Sequence, residues 1–222
     1  AAKLNNSYAL LYLGYMYYNG YGIQQDYIMA LNYYELSANL NNPEALFNLG
    51  CFYSNKEEFI DLSKAIECLL KCFEIHYQTI FIKSDKDKEG SSSFIEYNYY
   101  CYRSANDVGL IYLVYLNDLE NATKYIKEAA FGEYPFGQNN FGLLNQFYLN
   151  NIQEAEYFYN KSSKQEFCLA EFNLGYLKEK EEKFDESIKF YIKASKHQEK
   201  PLIFQKNNHY DERLEISKIF IM

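Results

Sequence analysis

At 222 residues, with 48% hydrophobic and 19% aromatic content, the chain carries ample apolar material for a core. Its net charge of −8 argues against nucleic acid as a partner, because phosphate binding needs a positive field. No apolar run is long enough to insert into a membrane, and five irregularly spaced cysteines make no disulfide framework, which points to a reducing compartment.

Taken in order, the chain reads as helix pairs. The stretch Ala9–Ala38 is two helices around the turn Asn19-Gly20-Tyr21-Gly22, expected at Ser7–Asn19 and Tyr27–Leu40. Pro43 opens a second pair, at Pro43–Ser54 and Lys64–Ile82. Residues 84–93, SDKDKEGSSS, are small and charged and read as an exposed insertion. A helix follows at Tyr97–Leu116. The tyrosine run just before it fits either a helical extension or extended backbone. Asn121–Phe131 is next, with Phe131-Gly132 as its expected C-cap. Phe136–Leu149, Gln153–Lys161, Cys168–Glu179 and Asp185–Lys196 complete the set. Residues 201–222 read as a degenerate or capping segment.

These pairs are copies of one unit. Each first helix has a glycine late in its course, Gly14, Gly50, Gly109, Gly142 and Gly175, spaced by 36, 59, 33 and 33 residues. Five positions before it stand Ala9, Ala45, Ser104, Gly137 and Ala170, all small; directly before it stand Leu13, Leu49, Val108, Phe141 and Leu174, all apolar. Each second helix carries a small residue, Ala30, Ala65, Ala122, Ala155 or Ser187. Four positions earlier stand Asp26, Asp61, Asp118 and Asn151 as N-caps, and Lys183 in the last copy. Pro201 lies seven residues before position 208, where a sixth glycine would fall; Asn208 is there instead. The chain is expected to be a single helical-repeat domain over 1–222, with repeats at about 7–40, 43–82, 94–131, 135–163 and 168–196. Its beginning, at Ala1 inside what reads as a linker or an earlier repeat, looks like that of a fragment.

The pattern A-x-x-x-L-G-x-x-Y, then N-G-x-G, then D-x-x-x-A-x-x-Y-Y in the first copy resembles the Sel-one-like repeat family, a branch of the tetratricopeptide-like α/α solenoids. The second copy lacks the N-G-Y-G turn and the aromatic pair. The resemblance covers about residues 5 to 197 and implies an all-α superhelix of about five repeats that holds partners, with no catalytic residues and no cofactor.

The residues offer little chemistry of their own. Cys68, Cys72 and His76 share a helix face at i, i+4 and i+8, but zinc needs a fourth ligand, and both cysteines fall on core columns. No metal is expected. Glu57-Glu58 and Glu179 to Glu182 read as solvated turns. The sequons at Asn5, Asn121 and Asn160 are what an Asn-rich chain yields by chance.

The expected function is a non-catalytic scaffold or adaptor binding a protein or peptide on the first helices. Two positions before the glycine, Asn48, Asn140 and Asn173 offer a donor and an acceptor each to a peptide group, and one position after it Tyr15, Cys51, Leu110, Leu143 and Tyr176 form an apolar companion row, with Tyr15 and Tyr176 as the expected contacts; helix–helix hydrogen bonding, or the chain's abundance of asparagine, explains the same column equally well. The alternatives are a regulatory or targeting region of a larger signalling enzyme such as a kinase, an endoplasmic-reticulum degradation adaptor, and a small repeat-built hydrolase. The expected compartment is the cytoplasm, with the endoplasmic-reticulum lumen as the alternative.

Overall fold

The computed structural model describes residues 2–83 and 92–197, with side chains over 6–75 and 99–197. Among the described residues there are ten α-helices, one 3-10 turn (Glu57–Phe59) and no strand. The helices are α1 (Ala2–Asn19), α2 (Tyr27–Asn39), α3 (Pro43–Asn55), α4 (Leu62–Lys83), α5 (Ser92–Val114), α6 (Leu119–Phe131), α7 (Pro135–Phe147), α8 (Ile152–Ser163), α9 (Cys168–Lys180) and α10 (Phe184–Lys196). They form five helix-turn-helix pairs, the all-α solenoid repeat that the sequence predicts. Two differences concern α5. The tyrosine run takes the helical one of the two conformations open to it, and α5 starts earlier than expected, since Ser92 and Ser93, expected in the insertion, already belong to it. The rest of that insertion, and the segment 201–222, lie outside the described residues.

The chain divides into two compact units, Ala1–Ala105 and Asn106–Met222. In the first, α2 packs on α3 and α3 on α4, burying Leu11, Tyr34, Phe47, Leu49 and Leu69. In the second, Leu110, Ile126, Phe141, Leu144, Phe158, Tyr159 and Leu174 form one continuous core.

Local chemistry sets the helix limits. Asp26 accepts from the Ile28 and Met29 amides at 2.9 Å, and Asp61, Asp118 and Asn151 each accept from the amide three residues on. Each cap satisfies backbone donors that the helix itself leaves open. Pro43 and Pro135 occupy first turns, where a missing N–H costs nothing. At the other ends, helices close through a residue in the left-handed region: Asn41, Asn117, Glu133, Asn150, Glu166 and Glu182, at φ between 50° and 61°. After α6, for instance, the Glu133 amide bonds to the Ala130 carbonyl and the Tyr134 amide to Ala129, a Schellman closure. Gly132, the expected terminator, sits at φ −75°, and the left-handed position falls to the glutamate beyond it.

Within each pair the two helices meet at the repeat glycine. A Cβ on Gly142 would lie 2.5 Å from Tyr159 Cε1, and one on Gly14 would lie 2.6 Å from Tyr34 Cδ1. Gly109 meets Ile126, Gly175 meets Tyr191 and Gly50 meets Leu69 in the same way. A hydroxyl or thiol on the second helix adds a polar tie to the start of the first. Ser37 donates to the Ser7 carbonyl (2.7 Å), Cys72 to Pro43 (3.2 Å) and Ser162 to Pro135 (2.8 Å).

The tyrosines over the glycines differ in one respect. Tyr159 donates its hydroxyl to Gln146 at 2.7 Å, whereas the buried Tyr34 hydroxyl has no partner among the described residues. A hydroxyl buried without a partner costs roughly 1–3 kcal/mol. Tyr34→Phe is therefore expected to hold or raise stability, and Tyr159→Phe to lose about 1 kcal/mol. Urea denaturation of the two variants checks this; equal losses would contradict it.

Candidate functional site

The asparagine column does not stand as an open row. In the second unit it is a ladder running across the first helices. Asn173 on α9 donates its Nδ2 to Asn139 Oδ1 on α7, and Asn140 on α7 donates to Asn106 Oδ1 on α5, both at 2.9 Å. A longer contact of 3.5 Å joins Asn139 Nδ2 to Asn140 Oδ1, and Asn106 donates to Asp107 at 3.2 Å. The register is regular: the residue two before one repeat's glycine gives its proton to the residue three before the previous glycine. Asn106, Asn139 and Asn140 are all buried, while Asn173 is half-exposed at the open end of the ladder. In the first unit Asn48 is also buried, and the position that would pair with it is Leu11, which has no acceptor.

The companion row divides likewise. Leu110 and Leu143 are core residues, while Tyr15 and Tyr176 are half-buried. Tyr15 lies 5.7 Å from the Tyr21 ring, and desolvation raises its hydroxyl pKa. Lys180 lies 5.2 Å from the Tyr176 ring, and Phe172, one turn before Tyr176, is 44% exposed. On α9 the structure thus brings Phe172, Asn173 and Tyr176 together at the surface.

A second polar cluster was not singled out by sequence. Glu171 of α9 is fully buried, with Lys193 Nζ 3.0 Å from one carboxylate oxygen and His197 Nδ1 2.9 Å from both. Lys193 also donates to the Ser163 hydroxyl (2.9 Å) and carbonyl (3.2 Å) at the end of α8. A serine beside a lysine invites a nucleophilic reading, but this ammonium spends its three donors on Ser163 and Glu171 and cannot take the serine proton. The cluster is a clasp. Its neutral counterpart lies one repeat earlier, where Gln165 Nε2 donates to Gln138 Oε1 at 2.9 Å. Gln138 and Glu171 both stand four residues before their glycines, and that shared column was the signal available in the sequence.

Cys72 is a core residue and Cys68 is half-buried beside it. Burial pushes the Cys68 thiol up to about 11 and that of Cys72 up to about 12, so neither is a thiolate near neutrality. The side chain of His76 lies outside the described residues. Among the described residues no three His, Cys, Asp or Glu side chains are arranged to hold a metal ion, and no helix is long and apolar enough to cross a membrane. Asn121 and Asn160 spend their Nδ2 groups on Asp118 and on the Glu156 carbonyl.

The Sel1 repeat model matches residues 7–42, 43–71, 140–167 and 168–198, more than half of the chain. The third repeat falls outside those segments, yet Gly109 meets Ile126 there as the other glycines meet their partners. Among solved structures, a Sel1 repeat protein from Oxalobacter formigenes is 16% identical, with a TM-score of 0.65 over 87% of this chain and 74% of that one. A protective antigen of uropathogenic Escherichia coli strains displaying an SLR fold is 20% identical, with a TM-score of 0.39 over 88% and 47%. Immunity protein Pa5087 from Pseudomonas aeruginosa is 16% identical, with a TM-score of 0.37 over 81% and 79%. No curated protein matches the sequence.

The clasp predicts a sign pattern. Lys193→Met leaves a buried carboxylate short of a cation and should cost roughly 3 kcal/mol. Glu171→Gln, which imitates the neutral clasp of the previous repeat, should cost under about 1 kcal/mol, and the double variant should recover most of the Lys193→Met loss. Denaturation midpoints of the three variants decide; additive losses would contradict the clasp.

Proposed function

The chain belongs to the Sel1 repeat family, and on that premise we propose that it is a non-catalytic scaffold that binds an extended segment of a protein partner. Repeats of this family generally serve protein interaction. The observation that supports a binding role here is the half-exposed end of the asparagine ladder on α9. The buried rungs are committed to one another and hold Asn173 in place. With one proton given to Asn139, Asn173 keeps a second N–H and its carbonyl for a peptide group. Phe172 and Tyr176 flank it and supply the apolar surface that takes side chains. In the first unit Tyr15, beside the 61%-exposed Tyr12, is the corresponding contact. Asn48 and Asn140, being buried, serve the fold and act on a partner only through the position of the rungs around them.

The test begins with a partner identified by cross-linking and measured by calorimetry. Asn173→Ala and Phe172→Ala should each weaken binding by about 1 kcal/mol, close to fivefold, measured where both variants remain folded, since each also gives up some stability: Asn139 loses its donor and Tyr191 its ring contact. Asn140→Ala should lower stability by a similar amount, since it leaves Asn106 without its donor. Wild-type affinity in both α9 variants would move the site elsewhere.

A further inference from the structure

Turns at the surface of a helical stack are ordinarily polar, since a run of exposed apolar side chains there adds nothing to the core. Two turns of the second unit depart from this. Val114, Tyr115 and Leu116 close α5, and Phe147, Tyr148 and Leu149 hold the same places at the end of α7. All six are exposed, by between 40% and 47%.

The backbone does not call for them. Both turns are closed by the same bonds: the Leu116 amide to the Ile111 carbonyl (3.3 Å) and Asp118 to Tyr112 (2.9 Å), then Leu149 to Leu144 (3.1 Å) and Asn151 to Asn145 (2.8 Å). Left-handed Asn117 and Asn150 complete the two closures. The fifth repeat closes its turn through left-handed Glu182, with the Lys183 amide on the Lys178 carbonyl at 2.9 Å, yet fills it with Lys180, Glu181, Glu182 and Lys183. The apolar triplets thus serve something other than turn formation, and consecutive exposed apolar residues mark a contact surface.

The triplets share one edge. The chain reverses twice between α5 and α7, so the two run in the same direction, and the Asn140–Asn106 bond sets them side by side. Packed helix axes lie about 8–10 Å apart. Seven residues of an α-helix advance about 10.5 Å, so a helix laid across the edge meets one turn with residue i and the other with i+7.

The charge around the edge has one sign. No lysine or arginine occurs in 114–123 or 145–160, whereas Asp118, Glu120 and Glu154 do. The Asn121 amide holds the Asp118 carboxyl below its usual range, so it is charged near neutrality. In the adjoining turn Lys183 pairs with Glu181, and Lys180 lies against the Tyr176 ring. A second copy of the chain would set its own three carboxylates against these, which a basic partner avoids.

We propose that this edge docks a basic amphipathic helix of a partner protein, its apolar side chains at i and i+7 on the two turns and its lysines or arginines facing Asp118, Glu120 and Glu154. The edge shares no residue with the α9 contact and stands independently of it.

Fluorescence anisotropy tests this with a labelled 15-residue helical peptide of leucine and lysine, its leucines on one face, and a scrambled isomer of equal charge. The wild type should bind the amphipathic peptide at least about tenfold more tightly than the isomer, and Leu116→Asn/Leu149→Asn should remove most of that difference. Tyr115→Ser/Tyr148→Ser provides an independent second variant, and urea denaturation identifies which of the two remains folded. Equal affinity for both peptides overturns the proposal, as does full affinity in a folded variant. Loss of binding in Asn173→Ala with the turns intact would seat the peptide on α9 and overturn it. A dimer in sedimentation that the leucine variant dissolves would assign the edge to a second copy and overturn it as well.

Discussion

The fold depends on how closely two helices approach at one residue per repeat. A Cβ on any of the five repeat glycines would fall within 2.7 Å of the residue opposite, a separation that packed atoms do not tolerate. Glycine in a helix interior sacrifices roughly 0.8–1 kcal/mol of helix propensity relative to alanine. The ring or branched side chain laid over it more than offsets that, since burying a large apolar side chain contributes about 1.5–3 kcal/mol. The first repeat shows the ranking of these effects. Tyr34 keeps its ring against Gly14 even though its hydroxyl is left without a partner among the described residues. Shape at the glycine outweighs a lost hydrogen bond.

Once the helices are that close, polar groups between repeats must be paired inside the stack. In the second unit two devices do this. The asparagine ladder joins α5, α7 and α9 side by side, and in the fourth and fifth repeats the residue four before the glycine grips the chain just after the second helix. That grip joins two amides at Gln138–Gln165 and a carboxylate with an imidazole at Glu171–His197, where Lys193 also reaches the carboxylate. Such pairing fixes register more than it adds net stability, because desolvating the groups consumes most of what their contact returns.

Much of this was legible in the residues. The glycine column, the four capping side chains and the prolines each report a local constraint, so the helix limits follow from nearest neighbours in sequence. The left-handed glutamates were not, because Glu133 and Glu166 take a conformation that glutamate resists and only the surrounding closure imposes. The asparagines were visible as a column, but their pairing spans 34 residues between Asn106 and Asn140, and no local pattern tells a rung from a free amide. Glu171 was hidden for a similar reason. Nothing near it in sequence announces that Lys193 and His197, from the next helix, surround it.

The account rests on the glycine contact, and a double-mutant comparison tests it most directly. With Tyr159 in place, Gly142→Ala drives a methyl group into the ring and should destabilise by roughly 1–3 kcal/mol. In a Tyr159→Ala background the ring is gone, and the same change should become neutral or stabilise by up to about 1 kcal/mol, as alanine is the better helix former. That reversal of sign, read from denaturation midpoints, is the predicted result. A Gly142→Ala cost of the same size in both backgrounds would show that the glycine answers to something other than the ring above it.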